Sequence, residues 1–206
     1  MTEQKPSDHL PAKRSPSRSL WLFAIILIVG AAVDLVTKEV VFDRYEIEIR
    51  RVGVQLLAVA QRPLDDVVLI PGCFSIRPSV NTGAVFGVFA GQVGWLGVLS
   101  ALAILAILII LIRTEDRSPP FQLALGLISA GAVGNLWDRL MLGGVRDFLD
   151  FYVNDMHWPT FNFADTWICI GVGILALLEI IQWKREVAAG GVETDNLATS
   201  EEKPKN

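Results

Sequence analysis

The sequence predicts an all-α polytopic membrane protein: four transmembrane helices with a small extracytoplasmic β-sheet region between helices 1 and 2. Three observations carry that prediction. Of 206 residues, 52% are hydrophobic and only 19% charged, with a mean hydropathy of +0.45, which is too apolar for an ordinary soluble domain. Apolar stretches of bilayer length recur along the chain. Between the first two of them the pattern changes to alternating apolar and charged residues and short β-branched runs.

The first span, about 20–42, is apolar up to Val33 and then meets Asp34, Lys38 and Glu39. Lys13, Arg14 and Arg18 precede it and Val29-Gly30-Ala31 has the look of a cleavage site, so a removable signal peptide is the competing reading. Three further spans, and the polar residues inside this one, argue for a retained helix. The second span, 93–112, is 20 uncharged residues, about 30 Å of helix and the thickness of a hydrocarbon core. The third, about 121–140, carries Gln122, Ser129, Asn135, Asp138 and Arg139. The fourth, 163–183, holds Asp165 near its start and Glu179 near its end. Positive charge packed before the first helix favours a cytoplasmic N-terminus, and four spans bring both ends of the chain to that side.

The outer region, about 43–90, contains Tyr45-Glu-Ile-Glu-Ile-Arg50, a half-exposed strand pattern. Val67-Val-Leu-Ile70, a Pro71-Gly72 turn and Cys73-Phe-Ser-Ile76 read as a hairpin. Residues 1–19 and 186–206 are polar and read as disordered cytoplasmic tails around a membrane domain of 20–185. The net charge of −4 is spread over tails and loops, and no basic face suggests nucleic acid. Cys73 and Cys169 lie in unlike settings, a loop and a span, so no bridge is expected. With His9 and His157 as the only histidines, no metal site is expected either.

The polar residues are the informative ones. Helical rise puts Asp34 about 21 Å up the first span, and Asn135 and Asp138 about 21 and 25 Å along the third. Asp165 opens the last span from the outer side. Polar groups from three helices therefore share one layer near the outer face, and carboxylates at membrane depth mark function by default. Asn135, Asp138 and Arg139 share one helix face, as do Asn162 and Asp165 if the helix begins early enough. Gly131 and Gly134 would admit a neighbouring helix or a substrate. After a Gly143-Gly144 turn, Asp147 is expected back at the surface.

Two carboxylates sharing one proton can serve as base and acid on water and a scissile amide, with no metal or cofactor. Simpler roles compete. Asp138–Arg139 and Asp147–Arg146 would serve as anchoring ion pairs, and Asp34–Lys38 as an i,i+4 helix pair. Spacing alone pairs Asp138 with Asp165, since each stands three residues after an asparagine.

Four blocks resemble the lipoprotein signal peptidases (signal peptidase II), bacterial membrane aspartic peptidases. They are Asp34-Leu-Val-Thr-Lys38; Asn81-Thr-Gly-Ala-Val-Phe-Gly87; Gly131-Ala-Val-Gly-Asn135-Leu-Trp-Asp138-Arg139 continuing to Gly144-Val-Arg-Asp147-Phe148; and Phe161-Asn162-Phe-Ala-Asp165. Val80 stands where family members often carry arginine, and the outer segment is longer than usual. The resemblance implies catalytic aspartates at Asp147 and Asp165. Asn81, Asn135, Asp138, Arg139, Asn162, Asp34 and Lys38 would then support the pair or contact substrate. It further implies diacylglyceryl-modified prolipoproteins as substrates, cut just before the lipidated cysteine. It also implies a multi-pass protein of the bacterial cytoplasmic (inner) membrane, in contact with membrane lipids, with its site near the outer face. A non-catalytic lipoprotein-binding protein and a small proton-coupled transporter are the alternative readings. The former would lose the acids, and the latter would favour midplane sites and repeats.

Overall fold

The computed structural model describes residues 20–52, 55–60, 67–83, 93–114 and 118–201. The tail expected at 1–19, the last residues 202–206 and positions 84–87 of the Asn81 block lie outside the described residues. The elements run α1 (Leu20–Arg44), β1 (Ile47–Val52), β2 (Gln55–Ala60), β3 (Val67–Ile70), β4 (Phe74–Asn81), α2 (Val93–Arg113), α3 (Pro119–Leu142), β5 (Val145–Val153), β6 (Met156–His157) and α4 (Phe163–Glu201). α4 continues as helix past residue 185, where the sequence predicts a disordered tail. The run Lys184-Arg-Glu-Val-Ala-Ala189 holds no glycine or proline to stop it.

Among the described residues three helices, α1, α2 and the 163–188 part of α4, are long and apolar enough to cross a membrane. They make this a multi-pass membrane protein, but α3 is not among the three, whereas the sequence predicts four. The reason is packing. α3 sits against each of the other helices, and apart from Leu125 its buried positions, among them Ala124, Gly126, Ser129, Gly131, Gly134 and Asp138, are small or polar. Close helix approach, rather than lipid, selected those residues. A Cβ at Gly126 would meet Ile26 at 2.9 Å, and one at Gly131 would strike the Ala164 carbonyl of α4. The apolar core, Phe23, Ile107, Leu111 and Leu125 with Leu175 packed against it, draws on all four helices. It lies about 15–20 Å along α1 and α3 from Asp34 and Asp138.

Two antiparallel sheets flank the bundle, β1–β2 and a four-stranded sheet ordered β3-β4-β5-β6. The predicted strands at 45–50 and the 67–76 hairpin are present as β1 and as β3–β4. The larger sheet is not confined to the connection between the first two helices, however, because β5 and β6 follow α3. The segment Val145-Arg-Asp-Phe-Leu-Asp-Phe-Tyr-Val153 does not alternate strictly, and its strand signal is its content of aromatic and β-branched residues. α3 ends at Gly143, whose φ of 77° places it in the left-handed region that suits a glycine C-cap, with its N–H on Arg139 O. The chain then reverses directly into β5.

Register carries the last step. Asp147 pairs with Ser79 and Val145 with Asn81 across β4–β5. On the other side, Leu149 and Phe161 exchange hydrogen bonds of 2.8 and 3.0 Å. That bridge lays the segment before α4 along β5, so the first turn of α4 opens beside Asp147.

Candidate active site

Asn162 caps α4. Its Oδ1 accepts the Asp165 N–H at 3.0 Å, and the Asp165 carboxylate accepts the Asn162 N–H at 3.3 Å, the reciprocal arrangement of a capping box. The Ala164 N–H, the next orphan donor of that turn, goes to Asp34 Oδ1 at 2.8 Å. Asp165 is thus held in the first turn of a helix, where negative charge is favoured. It is half-buried, and its Oδ1 accepts Asn135 Nδ2 from α3 at 2.8 Å.

Asp147 stands on strand β5 and is 2% exposed. The surface turn expected for it is not what forms, because Gly143-Gly144 makes the turn and the following residues are covered by β4 and the 158–162 segment. Its Oδ1 accepts Asn162 Nδ2 at 2.7 Å, and the Asn81 side chain donates to it as well. Burial, reinforced by the charge of Asp165, pushes the Asp147 carboxyl up to about 8, although Asn81, Lys38 and Asn162 pull the other way. The two carboxylates therefore act on each other, and each is held by an asparagine amide. The amides are themselves linked, Asn162 Nδ2 donating to Asn135 Oδ1 at 3.1 Å.

Beneath this pair lies a charged layer. Lys38, 0% exposed, donates to Asp34 Oδ2 at 2.7 Å and to Asn135 Oδ1 at 3.1 Å, and lies 3.4 Å from Asp138 Oδ2. It is more than the intrahelical partner of Asp34. Asp34 leaves no room for a side chain at Gly134, so that glycine admits a carboxylate and Gly131 admits the α4 backbone, neither a substrate. Asp138 is buried too, and pairs not with Arg139 but with Arg146, through Nη2 at 2.9 Å and the Arg146 backbone N–H at 3.0 Å. Arg146 in turn reaches Glu39 at 2.6 Å, so it does not pair with Asp147. Arg139 hydrogen-bonds the Asn135 carbonyl at 3.3 Å, with Asp165 and Asp147 within its electrostatic reach.

The layer thus brings together Asp34, Lys38, Asn81, Asn135, Asp138, Asp147, Asn162 and Asp165, with Arg139 at its margin. Sequence reasoning missed Arg146 and Glu39 as its outer partners. Their charges were visible, but the Gly143-Gly144 reversal that folds Arg146 back on Asp138 was needed to pair them. Among the described residues no group of three or more His, Cys, Asp and Glu side chains has the arrangement of a metal site, and Cys73 and Cys169 are unpaired thiols.

Asp150 points to the other face of β5. Its Oδ2 takes hydrogen bonds from Ser75 at 3.0 Å and with His157 Nδ1 at 2.8 Å, while Oδ1 is buried without a partner. His157→Ala would leave that carboxylate one hydrogen bond. We expect a loss of about 1–2 kcal/mol in stability, low in the range for such a bond because the imidazole is partly exposed. The check is a lowered Tm in detergent with unchanged turnover.

The signal peptidase II family model matches residues 25–181. The chain is 38% identical over 156 residues to the lipoprotein signal peptidase of Symbiobacterium thermophilum, covering 76% of this chain and 92% of that one. It is 34% identical to the lipoprotein signal peptidase of Geobacter metallireducens, covering 80% and 94%. In fold it resembles a bacterial membrane enzyme solved by the in meso method at 2.3 Å resolution. The TM-score is 0.65 at 24% identity, over 91% of this chain and 94% of that one. With the family's model covering most of the chain and relatives of this identity spanning nearly their whole length, the chain belongs to the signal peptidase II family and is a membrane peptidase.

Proposed function

We propose that this protein is an aspartic endopeptidase that removes signal peptides from prolipoproteins, cutting just before the diacylglyceryl-modified cysteine, with Asp147 and Asp165 as its reacting pair. The observation that carries this is the joining of two carboxylates from different elements through Asn135 and Asn162, one of them buried and raised to about 8. Asp147 then holds the shared proton at neutral pH. Asp165 takes a proton from water as its oxygen attacks the scissile carbonyl, and Asp147 protonates the departing amine. The protons belong to the coupled pair, so a pH profile reports both together.

In this reading α3 crosses the bilayer as a fourth span, shielded from lipid by its neighbours, in the bacterial inner membrane. The pair lies near the outer face, where a lipidated cysteine can stay in the bilayer while the peptide bond meets water. The shared family and the full-length relatives named lipoprotein signal peptidase support the substrate class. Neither a metal nor an organic cofactor enters the mechanism. The test is cleavage of a diacylglyceryl-modified prolipoprotein by the purified protein, with product mass locating the cut. Intact substrate, or equal cleavage of the unlipidated precursor, would overturn the assignment.

A pH dependence follows. A carboxyl raised from about 4 to about 8 keeps its proton at neutral pH and loses it as pH rises through 8. Cleavage is therefore expected to decline above about pH 8. Stability has the same sign: the raised acid favours the folded state at low pH, and that contribution drains away between about 4 and 8. A rate flat to pH 10 would contradict the protonation assigned to Asp147.

A further inference from the structure

We propose that Lys38 is a positioning residue for cleavage: it holds the Asn135 amide with its N–H group, rather than its carbonyl, turned to Asp165. The inference rests on the reading of Asp147 and Asp165 as the reacting pair. It goes beyond that reading by giving a buried lysine on a different helix a defined task.

The argument is one of donors and acceptors. An ammonium has three protons and no lone pair, so only an oxygen can face it. Lys38 Nζ has three oxygens around it, from Asp34, Asn135 and Asp138, at 2.7, 3.1 and 3.4 Å. Two of these contacts, to Asp34 and Asn135, are hydrogen bonds, and the third, to Asp138, is an ion pair. The Asn135 atom facing Lys38 must therefore be Oδ1, which leaves Nδ2 facing Asp165 at 2.8 Å. Turning the amide over would set NH2 against the buried ammonium and a carbonyl oxygen against the half-buried carboxylate, two repulsions.

A second donor to Oδ1, Asn162 Nδ2 at 3.1 Å, is weaker evidence of control. It has two protons for three acceptors, since it also faces Asp147 Oδ1 at 2.7 Å and Arg146 O at 3.3 Å. Lys38 is the donor with a proton committed to Asn135. Asn162 needs no such guard, because its own Oδ1 is tied to a backbone N–H that cannot turn. The two asparagines present N–H groups to the two aspartates, and only Asn135 depends on a side chain to do so. Asp34 braces the arrangement by binding Lys38 with one oxygen and the α4 N-terminus with the other.

A double-mutant cycle in the lipoprotein cleavage assay tests this, with kcat and KM measured for wild type, Lys38→Met, Asn135→Ala and the pair. We expect each single change to lower kcat on the order of 10- to 100-fold, the worth of one hydrogen bond to a charged group, with KM within about threefold. The double variant should fall within about threefold of Asn135→Ala alone, because Lys38 acts through Asn135. Multiplicative losses, or a raised KM with kcat intact, would overturn the proposal. Since Lys38→Met strips Asp34 and Asp138 of a buried cation, the cycle is repeated with the charge-balanced Asp34→Asn/Lys38→Met. There the asparagine oxygen can still accept the Ala164 N–H, and the same outcomes decide. Wild type that does not cleave, or full turnover in Asp165→Asn, would sink the peptidase reading along with this one. Normal behaviour there with a multiplicative cycle sinks the Lys38 inference alone.

Discussion

Replacing Asp147 or Asp165 by asparagine is expected to lower kcat on the order of 10²- to 10⁴-fold, the usual worth of a positioned acid or base, while the protein remains folded. Asparagine suits this test on both sides. At Asp165 it keeps an oxygen for the Asn162 N–H of the capping box, so a loss of rate reports the acid and not the start of α4. At Asp147 it removes a buried titratable group, which should leave stability equal or higher at alkaline pH, where the native carboxyl would otherwise ionise. Either variant turning over at near-normal rate while folded would remove the pair from the mechanism. A single losing variant would point to one carboxylate working with another partner, for which Asp138 is the nearest alternative on sequence grounds.

Asp138 separates the two possibilities through stability. It is 0% exposed and balances Lys38 and Arg146, at 3.4 and 2.9 Å. Asp138→Leu takes a buried counter-charge from both cations, leaving Lys38 only Asp34 and Arg146 only the exposed Glu39, and breaking a buried pair from one side costs about 3–5 kcal/mol. We expect a large drop in Tm and in yield of folded protein. Arg146→Met, which strands Asp138 and frees Glu39, should cost less because Lys38 remains. Asp138→Asn that stayed fully stable yet abolished cleavage would show that Asp138, not Asp147, reacts with Asp165. Loss of both together marks it as part of the frame.

Asn135 and Asp138 share a face of α3, and Asn162 and Asp165 share the first turn of α4, as spacing at i and i+3 requires. That much was legible because helical period is local. The same local reasoning favoured Asp138 beside Asp165 and could not see Asp147 as buried, since a strand's depth depends on what covers it. It also offers Arg139, as one competing reading, for the partner of Asp138 because the two are adjacent. Neighbours in a helix point about 100° apart, whereas Arg146 returns on strand β5 to the face that Asp138 presents. α3 shows the same limit from the other side. Its glycines and polar residues make it a poor span by composition, yet they are what lets α1 and α4 close on it.

What the sequence determined by itself, then, was the apolar spans, the hairpin of β3 and β4, the helix faces and the family motifs, all set by periodicity or by residue type within a few positions. The tertiary structure decided that β5 joins β4, that Asp147 is buried against Asn162, and that Lys38 reaches across to Asn135. Each of those needs segments 15 to 97 residues apart to meet. Such meetings are set by register and close packing, through the Leu149–Phe161 bridge and the missing side chains at Gly131 and Gly134, and neither leaves a periodic trace in the chain.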